Sequence, residues 1–356
     1  MPSESTLTLF IPDLFGFQST LSQLSKDEFS QLPGIHLPVL EKWLSRGVIE
    51  KSEQPHDAVF STFGLSLERN SDKHFAALSL LAEDATNVNF DDVTSTVSYW
   101  LRADPVNMQP DRDTALLAAY EEIDLTQDEA NKLVAQINAH FVDEPWQLYA
   151  FSPLRWYLRL DSSIDLNTHS LDKVVGEDIK PFMPSGDDAD YWFNITNEIQ
   201  MLLHGANVNI ERDSRNMWTA NSVWLWGGGC LPEFNAKTNY ANIITNNILY
   251  SGIAQYSGCE VLPLKDKLPG DFESGNNFIL LDSLSEFVLR RDLYTFTQKL
   301  NEIEKNVFSH CNELLESGKI KNIKLMTNDD VTMTVTRKRL HRWWKRVKPF
   351  SGFQYA

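Results

Sequence analysis

Cysteine is scarce in this chain: Cys230, Cys259 and Cys311 are three in 356 residues, odd in number and far apart. That excludes a disulfide framework and fits a reducing compartment. No CxxC or HxxxH spacing occurs, so those metal and redox signatures are excluded as well. No uninterrupted apolar run approaches the roughly 20 residues of a membrane helix. The N-terminal MPSESTLTLFIPD has no basic stretch followed by a long apolar one. The expectation is a soluble, cytoplasmic protein without a membrane partner. Positive charge is also short, with 32 basic against 49 acidic residues and a formal net charge of −17. A field of that sign repels phosphate backbones and anionic headgroups, so non-specific nucleic-acid binding is disfavoured.

What is present supports a folded core. A hydrophobic content of 42% in 356 residues suggests two packed units, or one core carrying a large insertion. The segment Arg337 to Lys348, RKRLHRWWKRVK, opposes the average charge with seven Lys/Arg and two adjacent Trp. It is the one place where nucleic acid is a conceivable partner. Its spacing also predicts a terminal amphipathic helix with Leu340, Trp343, Trp344 and Val347 on one apolar stripe.

Leu7 to Ile11 is a short apolar run closed by Pro12, as expected of a buried strand in a parallel sheet, and Asp13 follows its carboxyl end. Pro38 and Gly47 bracket an apolar repeat at Leu37, Leu40 and Leu44, a helix with readable ends. Phe75 to Leu81 is helical in pattern, and Asn70-Ser71-Asp72 offers it an N-cap. Tyr99 to Pro105 reads as a strand leading to a loop, PDRD, that sets Arg112 between two carboxylates. DLTQDE opens a helix reaching Val142. WQLYAF and RWYLRL, separated by Ser-Pro, predict an antiparallel hairpin. Helix, hairpin and loop over residues 97–218 suggest an α+β insertion. Thereafter α/β units return, with a long amphipathic helix at Leu293 to Leu315 and apolar runs ending in Asp282 and Asp329.

Two features carry possible chemistry. Asn194 to Gly229 passes from an amphipathic helix into a strand that stops at Gly227-Gly228-Gly229. Glycine permits φ > 0 and leaves the backbone N–H open to an anion, but it equally marks a tight turn packed under neighbouring Trp side chains. Asp13, Asp282 and Asp329 each follow a strand, where ligands of open α/β sheets bind. Converging carboxylates suit a hard divalent cation, and single Asp caps are common.

These residues resemble those of the archaeal-type cofactor-independent phosphoglycerate mutases of the alkaline-phosphatase superfamily, and more specifically the RpfE-type regulatory proteins. The similarity rests on Asn209, Arg212, Ala220-Asn221 and Gly227 to Gly229, on TANSVWLWGGGCLP, LRADPVN and NEIQMLLH, and on LFIPDLFG, LPVLEKWLSRG and YSGIAQYSGCEVLP. It implies an α/β fold: an alkaline-phosphatase-like core, 1–96 and 219–356, with a mostly parallel sheet flanked by helices, and an inserted α+β cap, 97–218.

The resemblance further implies a Ser or Thr nucleophile between two metal ions, which lower its pKa and neutralise the transferring phosphoryl group. NSDKHFAAL is similar to the nucleophile motif and puts Ser71 in that position, with His74 near a family histidine. Asp13, Asp282, Asp292 and Asp329 match metal positions, for Mn, Zn or Mg. Arg102, Arg112, Arg212, Asn221 and Gly227 to Gly229 match substrate-binding positions, where arginine's planar fork suits phosphate and carboxylate. The chain also departs from the pattern. Glu286 and Asp330 stand where histidines are expected, and Trp226 stands where a phosphate-clamping arginine would be. The implied function is a catalytically degenerate, mutase-like regulatory protein that binds a phosphometabolite or a protein partner. The alternative is an active metal-dependent phosphomutase or phosphatase.

Overall fold

The computed structural model describes residues 5–23, 32–51, 59–60, 62–65, 71–83, 98–111, 114–233, 238–265, 268–269, 272, 275–328 and 331–350. In chain order the strands are β1 (Thr6–Phe10), β2 (Val48–Lys51), β3 (Tyr99–Asp111), β4 (Thr114–Ala119), β5 (Trp146–Ser152) and β6 (Arg155–Leu160). They continue as β7 (Ser222–Gly229), β8 (Tyr240–Ile244), β9 (Glu260–Leu262), β10 (Asn276–Leu280), β11 (Asn322–Met326) and β12 (Val331–Thr336). Contacts divide the chain into two compact units, Met1–Leu65 with Phe234–Ala356, and Ser66–Glu233.

The first unit is built on a seven-stranded sheet of order β2-β12-β11-β1-β10-β8-β9. β11, β1, β10, β8 and β9 run parallel, while β12 and β2 are antiparallel at one margin. β1 lies in the middle, and Leu7 to Phe10 are buried because both of its faces are covered; Leu7 and Leu9 are fully buried, and the buried Thr8 hydroxyl is hydrogen-bonded to the Tyr240 hydroxyl at 2.9 Å. Leu40, Trp43 and Leu44 of the helix Pro38–Arg46 join this core, and the Trp43 ring packs on Phe308 with centroids 5.4 Å apart.

The start of that helix leaves backbone N–H groups without intrahelical partners. The buried Glu304 carboxylate accepts two of them, from Val39 at 2.7 Å and Leu40 at 3.1 Å. Glu304 opens a π turn (Glu304–Phe308) joining the helices Leu293–Ile303 and Ser309–Ser317, so the predicted long amphipathic helix forms with a wider turn inside it. No helix among the described residues is long and apolar enough to cross a membrane. The α/β core with a mostly parallel sheet flanked by helices is the class expected from the sequence.

The second unit carries an antiparallel sheet of order β4-β3-β6-β5, with β7 also paired to β3. β5 and β6 are the predicted hairpin. On one face, Leu101, Ala103, Val223 and Leu225 pack against Leu133, Ile137, Trp192, Ile199 and Leu203 of two helices, Gln127–His140 and Ala189–His204. The first of these begins with the capping box signalled by DLTQDE: Glu129 N–H donates to Thr126 Oγ1, and Thr126 N–H donates to Glu129 Oε2. On the other face, Ala76, Ala77 and Leu80 of the helix Phe75–Leu80 cover Trp100 and Tyr157.

Three expectations change. The glycine-ended strand β7 pairs with β3 in the antiparallel sheet, and the second unit takes in Ser71 to Glu83 and β7 as well as residues 97–218. The C-terminal helix is only Arg337–Leu340, and beyond it Trp343, Trp344 and Val347 are exposed rather than on a packed stripe. Of the predicted cap Asn70-Ser71-Asp72, Asn70 lies outside the described residues, and Ser71 and Asp72 do not occupy the capping position. The capping position is His74, in the left-handed region at φ 72°, without a side-chain cap bond.

Candidate functional site

The parallel strands of the first unit end in a row of polar residues: Asn328 after β11, Asp13 after β1, Asp282 after β10 and Asn247 after β8. Asp13 turns into the left-handed region at φ 56°. Asn328 then binds it twice, its Oδ1 accepting the Asp13 N–H at 2.6 Å and its Nδ2 donating to Asp13 Oδ1 at 2.9 Å. Asn247 Nδ2 donates to Asp282 Oδ2 at 2.8 Å, while Asn247 Oδ1 caps the helix Ile248–Tyr256 by accepting from Leu249 and Tyr250. Asp13 and Asp282, the strand-end carboxylates among the described residues, are thus each paired with a neutral amide.

Asp292 has a different task. It caps the helix Leu293–Ile303 by accepting the Thr295 N–H at 3.0 Å, and its hydrogen bonds from Thr295 hold its carboxyl below the usual range. Asp329 lies outside the described residues. Among the described residues no three His, Cys, Asp or Glu side chains are grouped as a metal ion requires. A hard divalent ion takes several oxygen ligands at about 2.0–2.6 Å. Of the predicted ligands, Asp13 and Asp282 each carry one amide hydrogen bond to a single carboxylate oxygen, and Asp292 caps a helix.

In the second unit the turn bearing Ser71 docks on the three glycines. The Asp72 carboxylate accepts the Gly227 N–H and both of its oxygens lie 2.9 Å from the Thr168 hydroxyl. His74 N–H donates to Gly228 O at 2.9 Å, and His74 Nδ1 lies 2.7 Å from Cys230 O. A Cβ on Gly229 would sit 2.8 Å from His74 Nδ1, and one on Gly228 would sit 2.6 Å from the Tyr99 hydroxyl. The glycines are required by close approach of the protein to itself. Ser71 is half-buried, and its Oγ accepts the Lys73 N–H at 3.1 Å.

The predicted ligand-binding side chains are engaged within this unit. Arg102 is 3% exposed and donates from Nε and Nη2 to Asp104 Oδ1 at 3.0 and 2.8 Å. Its guanidinium lies over the Tyr157 and Trp226 rings, 4.9 and 5.1 Å from their centroids. Burial opposes its charge, but the adjacent Asp104 more than reverses this and raises its pKa. Burial pushes the Asp104 carboxyl up, opposed by Arg102 and by N–H donors from Trp226 and Trp156.

All three Arg212 guanidinium nitrogens donate within the protein, Nε to Trp218 O, Nη1 to both Glu129 oxygens and Nη2 to Ile123 O. Asn221 bridges Met108 N–H and O at 2.8 Å each. Arg112 lies outside the described residues. These contacts place Arg102, Arg212 and Asn221 in the framework rather than facing a ligand.

The sequence did not signal two of the polar clusters. One is Asp104 at the centre of Arg102, Trp156 and Trp226. The other is Glu83, which takes Arg155 through both carboxylate oxygens at 2.6 and 3.0 Å and the Tyr157 hydroxyl at 2.9 Å. Asp104 sits two residues from Arg102 on β3, where alternation puts i and i+2 on one face. That local spacing was the only available clue, since its Trp partners arrive from β6 and β7.

No family model matches the chain. It is 24% identical over 149 residues to a 2,3-bisphosphoglycerate-independent phosphoglycerate mutase of Methanosarcina barkeri, covering 40% of this chain and 37% of that protein. It is 24% identical over 153 residues to the Methanosarcina mazei protein of the same name, covering 41% and 38%. The matched segment therefore spans well under half of these relatives. In solved structures, the fold is similar to that of the PH0037 protein from Pyrococcus horikoshii, with a TM-score of 0.55, 15% identity, and coverage of 94% of this chain and 88% of that one. Over about two fifths of its length the chain is thus distantly similar to archaeal 2,3-bisphosphoglycerate-independent phosphoglycerate mutases, and its α/β fold resembles that of the PH0037 protein.

Proposed function

We propose that this chain is a catalytically degenerate, phosphoglycerate-mutase-like protein of the RpfE type, cytoplasmic, that binds a phosphorylated metabolite or a protein partner in a regulatory role. The observation that carries the reading is the pairing of the strand-end acids with amides, Asp13 with Asn328 and Asp282 with Asn247. A centre that activates a serine and neutralises a phosphoryl group needs anionic oxygens held open for metal. Here an amide binds Asp13 and another binds Asp282, and Asp292 serves as a helix cap. Trp226 at the position of an expected phosphate-clamping arginine supports the reading further, because its indole is bonded to Asp104 at 2.8 Å.

The test is elemental analysis of the purified chain, then assay after loading with Mn or Zn, with phosphoglycerates and an aryl phosphate as substrates. The expected result is no enzyme-like turnover and no difference between the parent and Ser71→Ala. Turnover abolished by Ser71→Ala would overturn the proposal and establish the active phosphomutase or phosphatase instead. A thermal-shift screen of phosphorylated metabolites tests the binding part, since a ligand of the native state raises Tm by mass action.

A further inference from the structure

The segment Arg337 to Lys348 gathers seven Lys and Arg and no acid in a chain whose formal net charge is −17. It belongs to the first unit and follows β12. The one-turn helix Arg337–Leu340 ends on the buried Leu340, whose carbonyl accepts a bond from Arg46 Nη1. Farther on, Lys348 N–H donates to Ser45 Oγ at 2.9 Å, and the Phe350 ring is buried against that of Phe15 with centroids 5.8 Å apart. His341 to Pro349 therefore form a strap fixed at both ends.

Between those anchors the apolar side chains face water. Trp343 is the most exposed large apolar side chain among the described residues, and Trp344 and Val347 are exposed as well. Lys338, Lys345, Arg346 and Lys348 are also exposed. None of the ion pairs among the described residues includes any of the seven basic side chains. Two indoles and an aliphatic side chain left in water forgo the burial that drives folding, and the cations beside them ask for an anion. A strap already held in place also loses little freedom on binding.

Tryptophan settles at the boundary between bilayer and water, where Lys and Arg stems carry their charges to the headgroups. Single-stranded nucleic acid likewise offers phosphates, with bases that stack on indole. The ring geometry favours lipid. Trp343 and Trp344 meet edge to face, with an interplanar angle of 86° and centroids 6.1 Å apart, so two successive near-parallel bases cannot stack on both. A lipid boundary accepts either ring orientation, and it also rewards Val347, which has no face for a base.

We infer that this strap docks the protein on an anionic lipid surface, with Trp343, Trp344 and Val347 entering the headgroup boundary and the Lys and Arg side chains engaging lipid phosphates. The sequence expectation of no membrane partner rests on the lack of a spanning segment, which a surface contact does not need. The overall negative charge opposes approach, but screening confines that repulsion to a range of about 8 Å at physiological ionic strength. None of these residues is among the strand-end acids that carry the mutase-like reading, so either proposal can fail alone.

The test sediments the full chain with vesicles of phosphatidylcholine alone, or with a quarter of it replaced by phosphatidylglycerol, at about 0.1 M salt. The chain should bind the anionic vesicles at least about tenfold more tightly than the neutral ones, and rising salt should release it. The double variant Trp343→Ala/Trp344→Ala should keep the parent Tm, because both side chains are exposed, yet bind about tenfold more weakly. Lys345→Gln/Arg346→Gln should also keep Tm and lose about 25-fold, since each basic residue near an anionic surface is worth about fivefold. Equal binding to the two kinds of vesicle, no binding to either, or binding unchanged in either double variant would overturn the inference. Tighter binding of a single-stranded oligonucleotide than of the anionic vesicles, lost in the same variants, would overturn it in favour of nucleic acid.

Discussion

Asp72 places its carboxylate 2.9 Å from the Gly227 amide nitrogen. A backbone N–H beside glycines is a donor that an external anion could use. Here the chain supplies its own anion, and the same carboxylate also holds Thr168. Asp72→Ala leaves a buried amide and a hydroxyl without their acceptor and should cost about 1–3 kcal/mol. Asp72→Asn keeps one oxygen and should cost less. Denaturant midpoints of the two variants test the order.

Gly229 has φ 152°, and an added Cβ would meet His74 at 2.8 and 2.9 Å. Gly258 is also left-handed, at φ 76°, but nothing lies within 4 Å of its Cβ position. Gly258→Ala should therefore show only the backbone penalty, about 1–2 kcal/mol. Gly229→Ala adds displacement of the His74 turn and should be the more destabilising of the two by thermal denaturation.

These glycines also show how far the sequence could be read. Strand-then-glycine identified β7 and its exceptional backbone, because those are local properties of residue type. Whether Gly227 N–H faced a ligand or a carboxylate depended on Asp72, 155 positions away in sequence. The same limit applies to Asp13, whose position after β1 was legible but whose partner Asn328 was not. Thr126 and Glu129 lie within one helical turn, so the capping box was predicted and found. Arg102 was the opposite case: a buried arginine looks like any other until its carboxylate and its two aromatic rings are assembled.

Arg102 and Asp104 are 4% and 0% exposed at their side chains and 2.8 Å apart. Arg102→Met should cost about 3–5 kcal/mol, because it leaves a buried carboxylate without its cation. The double variant Arg102→Met/Asp104→Leu should recover much of that loss, since no uncompensated charge remains. If the single and double variants unfold at the same denaturant concentration, the burial argument fails.

Glu129 gives a pH dependence. Burial raises its pKa, but its bonds with Thr126 and Arg212 outweigh this and hold it below the ordinary 4.5. A depressed carboxyl contributes stability that is fully present above the unfolded-state value and is lost as pH falls through the folded-state value. Glu129→Gln should therefore lower stability at pH 7 and flatten the decline below about pH 4.5. Unfolding curves between pH 3 and 7 would reveal the change in slope.

The C-terminal segment separates anchoring from display. Leu340 and Phe350 are each 1% exposed, whereas Trp343 and Trp344 between them are 82% and 66% exposed. Phe350 is also held through its backbone, its N–H donating to Glu41 at 2.8 Å and its O accepting from Gln18 at 2.8 Å. Leu340→Ala should cost about 2–5 kcal/mol and Phe350→Ala about 3–5 kcal/mol, through lost burial and the cavities left behind. Trp343→Ala and Trp344→Ala should stay within about 0.5 kcal/mol of the parent, as exposed substitutions do. The packed amphipathic stripe read from the sequence requires the reverse, with both tryptophans as costly as Leu340. Thermal denaturation of the four variants decides between the two arrangements, because only the observed one allows a tryptophan to be removed almost without consequence.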